Sequence, residues 1–315
     1  MLNKFASVLV AVGMLSVLLV SGCGPSADLS LKFSPDHTAR YKATTETTKL
    51  FRFDQPNLGK LKEEQTQSLI EMDFTQTIQS VDADGNATAR ITVNDLKIDI
   101  VNKNESQLSF DSQKDADKDA PLAKLLGQSY TIEISPTGQV KSLDTKDAMA
   151  AVTTPYEKKI VKGLLDDKAI AKRHQITALS KAPAGGLSLE DSWSEVVPSP
   201  PGLLAPKSYK KTYTLTALDE TVATIKMTAG ESGPSAEGDT QAAGNMGMFA
   251  KMFDNEDDYT GTLKIDLATG EVLASNETLI STYTAQEMPA NGDAEKGPDV
   301  LTMQLTNRVQ LEKLN

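Results

Sequence analysis

The chain has 315 residues, a formal net charge of −11 and 39% hydrophobic residues, which is length for one large or two small domains. Acidity without a basic cluster excludes a nucleic-acid binder and argues against a surface pressed on anionic lipid. With one Cys, one Trp and two His, the chain has little from which to build a disulfide framework, a metal centre or a histidine-based catalyst, and no cofactor is expected.

The first element is a leader. Lys4 precedes an apolar run from Phe5 to Val20, and the run ends in Val20-Ser21-Gly22-Cys23. A retained membrane helix needs about 20 apolar residues; this run is shorter and contains Gly13 and Ser16. A plain secretory signal ends in an A-x-A-like site, which is absent. The segment resembles a bacterial lipoprotein signal, with Val20, Ser21 and Gly22 as its lipobox and Cys23 as its acceptor. That resemblance implies cleavage before Cys23 and attachment of diacylglycerol and fatty acid such as palmitate. The chain would then be held by lipid on the bacterial cell membrane, facing periplasm or exterior. Gly24, where Asp would retain a lipoprotein at the inner membrane, favours the outer membrane of a diderm. Residues 1–22 are read as the signal peptide and 23–35 as the lipidated tether, with Gly24 to Ala27 flexible.

Period-2 alternation then dominates, as in half-buried strands. Tyr41, Ala43, Thr45 and Thr47 share a parity, as do Ile70, Met72, Phe74 and Ile78. Ala87, Ala89, Ile91 and Val93 are odd, whereas Leu96, Ile98 and Ile100 are even. A phase change at Asn94-Asp95 predicts a β-bulge or sharp bend. Tyr130, Ile132 and Ile134 make a shorter strand. Asp82 to Asn86, Ser135 to Gln139 and Asp266 to Glu271 read as hairpin turns in which Gly supplies a positive φ. The charge run Asp111 to Asp119 reads as loose. Residues 36–143 form the first β-rich half.

Residues 144–182 break the pattern. Asp144 or Thr145 caps a helix over Lys146 to Val152. Pro155 sits in the first turn of a second, Tyr156 to Leu165. Asp166 or Asp167 starts a third, Lys168 to Leu179. Residues 183–315 return to strands, with Tyr209, Tyr213 and Leu215, then Ala223, Ile225 and Met227, then Tyr259, Leu263 and Ile265 alternating. Met303, Leu305, Val309 and Leu311 close the chain. Loops near 230–257 and 287–299 are too polar to order themselves. The fold class is α+β and mostly β: two antiparallel β-sheet halves with a helical segment between them. The shared form of the hairpins leaves open a weak internal duplication.

Candidate sites are few. Asp82-Ala83-Asp84-Gly85 begins like a calcium loop, but Gly is fourth rather than sixth and Val93 stands where the bidentate Glu is needed. Asp254 to Asp258 reads as a solvated acidic loop, and no metal site is expected. His37 and His174 have no ligand spacing and no nucleophile motif beside them, and both read as surface or packing residues. No hydrolase, zincin, Walker or Rossmann motif is present, so no catalytic residue is assigned and the chain is read as a non-enzyme. Gly244 to Phe253 is the most unusual stretch, because five of its ten residues are Met246, Met248, Phe249, Met252 and Phe253. It reads as a short amphipathic cap on the sheet or as an adaptable apolar surface for lipid or a partner.

Trp193 opens the second β half in Leu189-Glu190-Asp191-Ser192-Trp193 and is expected to pack between helices and sheet. Lipobox, V-D-x-D-G-type hairpin, alanine-rich helical middle and this G-D-S-W-like opening together resemble an uncharacterised family of bacterial lipoproteins. Glu190 stands where that family has Gly, and the resemblance implies no activity. A large sheet with helices on one face also resembles the lipoprotein-carrier folds of the bacterial envelope. That likeness implies an apolar cavity lined by Ile70, Met72, Phe74, Leu263 and Ile265, with Met246 to Phe253 as its lid. The expected role is binding or structural in the cell envelope. The partners are the membrane through Cys23, and a lipid or an envelope protein. Carriage in a cavity is one alternative, and hydrolysis of envelope polymer by paired carboxylates is another.

Overall fold

The computed structural model describes residues 26–204, 207–234 and 252–315. Among them, six strands come first: β1 (Thr38–Gln55), β2 (Lys60–Val81), β3 (Ala87–Asn102), β4 (Glu105–Asp111), β5 (Ser129–Ile134) and β6 (Val140–Asp144). Three helices follow: α1 (Lys146–Ala150), α2 (Pro155–Leu164) and α3 (Asp167–His174). Six more strands complete the chain: β7 (Ser192–Pro198), β8 (Lys207–Leu218), β9 (Val222–Pro234), β10 (Asp254–Asp266), β11 (Val272–Glu287) and β12 (Asp299–Leu314).

All twelve strands belong to one antiparallel sheet in the order β6-β5-β3-β2-β1-β12-β11-β10-β9-β8-β7, with β4 on the outer part of β3. The first and last strands meet at its centre, where Arg40 faces Leu314 and Asp54 faces Val300. The two β-rich halves are therefore two arms of a single sheet. Odd residues of β8, β9, β10 and β12 face inward, and so do even residues of β2, as the alternation requires.

The phase change lies where it is expected. Asp73 pairs with Asp95 and Phe74 with Val93, leaving Asn94 as the extra residue of a bulge. Asn94 donates through Nδ2 to Thr75 Oγ1 at 2.9 Å. Ala89, Ile91 and Val93 before it, and Leu96 and Ile98 after it, are all buried. The bulge thus keeps apolar side chains on one face through a change of parity. It also splits the edge of β3, whose first part pairs with β5 and whose last part pairs with β4.

The three hairpin turns form. At one, Asp82 Oδ1 accepts from the backbone N–H of Asp84 and Asn86. Gly270 has φ +70°, and a Cβ there would lie 2.5 Å from Lys32 N. Several segments differ from their expectation. β9 ends at Pro234 and β10 starts at Asp254, both inside the stretch 230–257 read as a loop. Asp111 to Asp119 is tied down, with Asp117 Oδ2 accepting from Asp111 N at 2.9 Å. The third helix stops at His174, and Thr177–Leu179 forms a separate 3-10 turn.

The helical segment crosses the inner face from one arm to the other. His174 packs edge-on against Phe74 of β2, with ring centroids 4.8 Å apart. Ile176 N donates to Gly138 O in the β5–β6 turn, and Trp193 Nε1 of β7 donates to Ala178 O at 2.7 Å. Asp166 caps α3 by accepting from Ala169 N at 2.7 Å. The stretch read as a tether also packs: Ala27, Leu29 and Leu31 are buried, Ala27 bridges to Leu187, and Leu31 N donates to Pro136 O.

Candidate functional site: a cavity under the third helix

A cavity of about 560 Å³ lies between the helical segment and the second arm. Its floor is built by inward residues of β9, β10 and β12: Ile225, Met227, Leu263, Val309 and Leu311. Its roof is α3 and the turn after it, and Pro198, Pro200 and Pro201 close one side. Odd parity places these apolar side chains inward, with polar Ser275, Glu277 and Asn307 among them, and the space stays open because the roof rests on supports at its ends.

Those supports are polar. Glu277 of β11 accepts from Thr177 Oγ1 at 2.9 Å, from Lys211 Nζ at 2.6 Å and from Tyr259 OH at 3.2 Å. Burial opposes charge on Lys211, but Glu277 and Tyr259 together outweigh it and raise its pKa. Burial, then the Glu277 charge, pushes the Tyr259 phenol up to about 12. Tyr213 OH donates to Glu195 Oε1 at 2.8 Å. The turn at Thr177 is thereby fastened to three strands.

On the other side of α3, Arg173 Nη1 donates to Tyr130 OH at 3.1 Å and Nη2 to Leu164 O at 2.9 Å. Tyr130 OH lies 2.7 Å from His174 Nε2. With its oxygen receiving from the guanidinium, the tyrosine gives its proton to Nε2, and the imidazole is neutral with its proton on Nδ1. Burial and the neighbouring Arg173 charge hold the His174 pKa well below the ordinary value.

A third network lies further along the same strands, outside the cavity wall. Lys207 is ion-paired to Asp257, which also accepts from Tyr209 OH at 2.8 Å and Ser281 Oγ at 2.6 Å. Burial raises the Asp257 pKa, but these donors together carry it below the usual carboxylate value.

Of the residues named from sequence for the cavity wall, Leu263 lines it. Met72 and Phe74 are packed core at 1% exposure, and His174 of α3 lies edge-on against Phe74 there. Ile70 and Ile265 do not reach the cavity either. Phe253 is buried and Met252 is 69% exposed, while Met246, Met248 and Phe249 lie outside the described residues. Val20, Ser21, Gly22 and Cys23 lie outside them too. His37 sits 2.8 Å from Glu271, and among the described residues no group of three His, Cys, Asp or Glu is placed to hold a metal ion. No described helix is long and apolar enough to cross a membrane. Sequence reading missed Lys207, Lys211 and Glu277, although all three stand at inward parity among Tyr209, Tyr213 and Leu279.

The model of the Family of unknown function (DUF6263) matches residues 84–272. No curated protein matches the chain. A solved structure described as lipid–protein interactions in lipovitellin is similar at 10% identity and TM-score 0.43, over 90% of this chain and 26% of that one. The chain thus spans about a quarter of the length of that lipovitellin chain. A crystal structure of OpdQ from Pseudomonas aeruginosa aligns at 8% identity and TM-score 0.12, over 79% of this chain and 62% of that one. At these scores neither likeness bears on the reading of the cavity.

Proposed function

The chain belongs to the DUF6263 family, whose function is unknown, and from that premise we propose that it is a lipid-anchored envelope protein holding an acyl-chain ligand under α3. The observation that carries this reading is the cavity. Protein interiors are close-packed, and a scaffold would fill this space with side chains. Its volume of about 560 Å³ falls within the range of small-ligand sites, roughly 300–1,000 Å³. The floor of Ile225, Met227, Leu263, Val309 and Leu311 suits a hydrocarbon chain. The two carboxylates on the wall are both committed, Asp166 to the cap of α3 and Glu277 to Lys211, Tyr259 and Thr177. That favours binding over hydrolysis by a carboxylate pair.

Anchorage rests on the sequence of the leader. If Cys23 carries lipid, only three residues separate it from buried Ala27, a reach of at most about 14 Å over four Cα–Cα steps. The turns at Pro136 and Leu267, which contact Leu31 and Lys32, would then stand close to the membrane. The test is native mass spectrometry, with solvent extraction, of the chain from Ser26 onward, which contains every described element. A bound amphiphile near one per chain is the expected result. A bare apo mass from a lipid-rich host would contradict the reading.

A further inference from the structure

The wall of the cavity carries charge opposite to that of the molecule. The chain as a whole is at −11, yet Lys168, Lys172 and Arg173 all line this cavity. No described carboxylate forms an ion pair with any of the three. The lining carboxylates, Asp166 and Glu277, are occupied as described above. Arg173 is buried at 7% exposure with its donors turned away to Tyr130 and Leu164, so it adds positive charge behind the wall and leaves Lys168 and Lys172 to meet a ligand.

Lys168 and Lys172 stand one turn apart on the same face of α3, and like charges at that spacing repel. The helix dipole accounts for basic residues in the last turn, where Lys172 and Arg173 sit. It does not account for Lys168 in the first turn, where a cation is disfavoured. Lys168 and Lys172 are both exposed residues on the cavity lining, and partial burial lowers the pKa of Lys172. Such an arrangement is stabilised by an anion between the two ammonium groups.

We propose that the ligand of this cavity is an anionic amphiphile, its acyl chain on the Ile225/Leu263/Val309 floor and its carboxylate or phosphate head between Lys168 and Lys172. This rests on the acyl-chain reading above and adds the class of head group. The chemistry shared by a fatty acid and a lysophosphatidic acid is one chain with one anionic head.

The test is displacement of diphenylhexatriene, a neutral hydrocarbon probe, from the chain beginning at Ser26. The competitors are oleate, oleoyl lysophosphatidate and oleyl alcohol, which share one chain length. At least one anion is expected to displace the probe at about ten-fold lower concentration than the alcohol, the scale of a charge-assisted hydrogen bond. The tighter of the two anions distinguishes a carboxylate head from a phosphate head. In the Lys168→Met/Lys172→Met variant the gap is expected to close to about two-fold, with the probe still bound and the melting temperature kept. Equal displacement by all three competitors, or an unchanged gap in the variant, overturns the anionic head and leaves the apolar cavity standing. Failure of the probe to bind the parent chain overturns the cavity reading itself.

Discussion

Lys207 and Lys211 stand at inward positions of β8, where alternation expects apolar side chains. Their carboxylate partners lie on other strands, 50 and 66 residues away, so the pairing follows from strand register and was not legible in the local sequence. A buried cation that loses its partner is costly. Asp257→Ala strips Lys207 of its main counterion and leaves Asn255 and exposed Glu231 as partial substitutes. The expected loss is about 3 kcal/mol in urea unfolding, the low end for a broken buried pair; a loss below about 1 kcal/mol would contradict the network. His174 is the second case. Its folded pKa is depressed, so below the ordinary histidine value the unfolded chain binds a proton that the folded chain refuses. Stability should therefore fall as pH drops from 7 through about 6.5 toward 5. His174→Gln keeps an acceptor for Tyr130 and should flatten that part of the curve. A parallel decline in both proteins would show that other groups set it.

Elements whose signals are local were readable from sequence. The Asn94 bulge was visible as a switch of parity between Val93 and Leu96, and the structure shows why it matters: Leu96 and Ile98 are 1% exposed. Deleting Asn94 would turn Leu96, Ile98 and their neighbours to the opposite face. The expected outcome is loss of cooperative unfolding by circular dichroism, whereas a deletion variant that melts like the parent would refute the role given to the bulge. The helix starts were also legible, since Asp166 and Pro155 have backbone roles that need no tertiary partner. Asp166→Ala should cost about 1 kcal/mol through the lost cap. The end of α3 was not legible, because Ile176 leaves the helix to bond Gly138 in a distant hairpin. Likewise, the charge run at Asp111 to Asp119 gave no local sign that Asp117 would bind the end of β4.

At the scale of the molecule, alternation predicted two β halves, and their fusion into one sheet depends on β1 meeting β12 across the length of the chain. Which apolar face would be packed and which left open depended on where α3 lies. Its last residue, His174, packs on Phe74 of the first arm and the helix roofs Leu263 of the second, a choice that no periodicity encodes. The anchor remains a sequence argument with its own test. Cys23→Ser should abolish incorporation of labelled palmitate and release the protein from membranes, and label retained by the variant would place the lipid elsewhere. The most direct test of the central claim fills the cavity from its floor. Val309→Trp puts an indole into the space under α3, beside Glu277, its cross-strand partner on β11, so the melting temperature serves as the control for the polar supports. Titration of cis-parinaric acid, which fluoresces when out of water, should show saturable one-to-one binding to the parent chain. Binding to Val309→Trp should be at least about ten-fold weaker at an unchanged melting temperature. Equal binding by both proteins, or none by the parent, would contradict an acyl-chain site in this cavity.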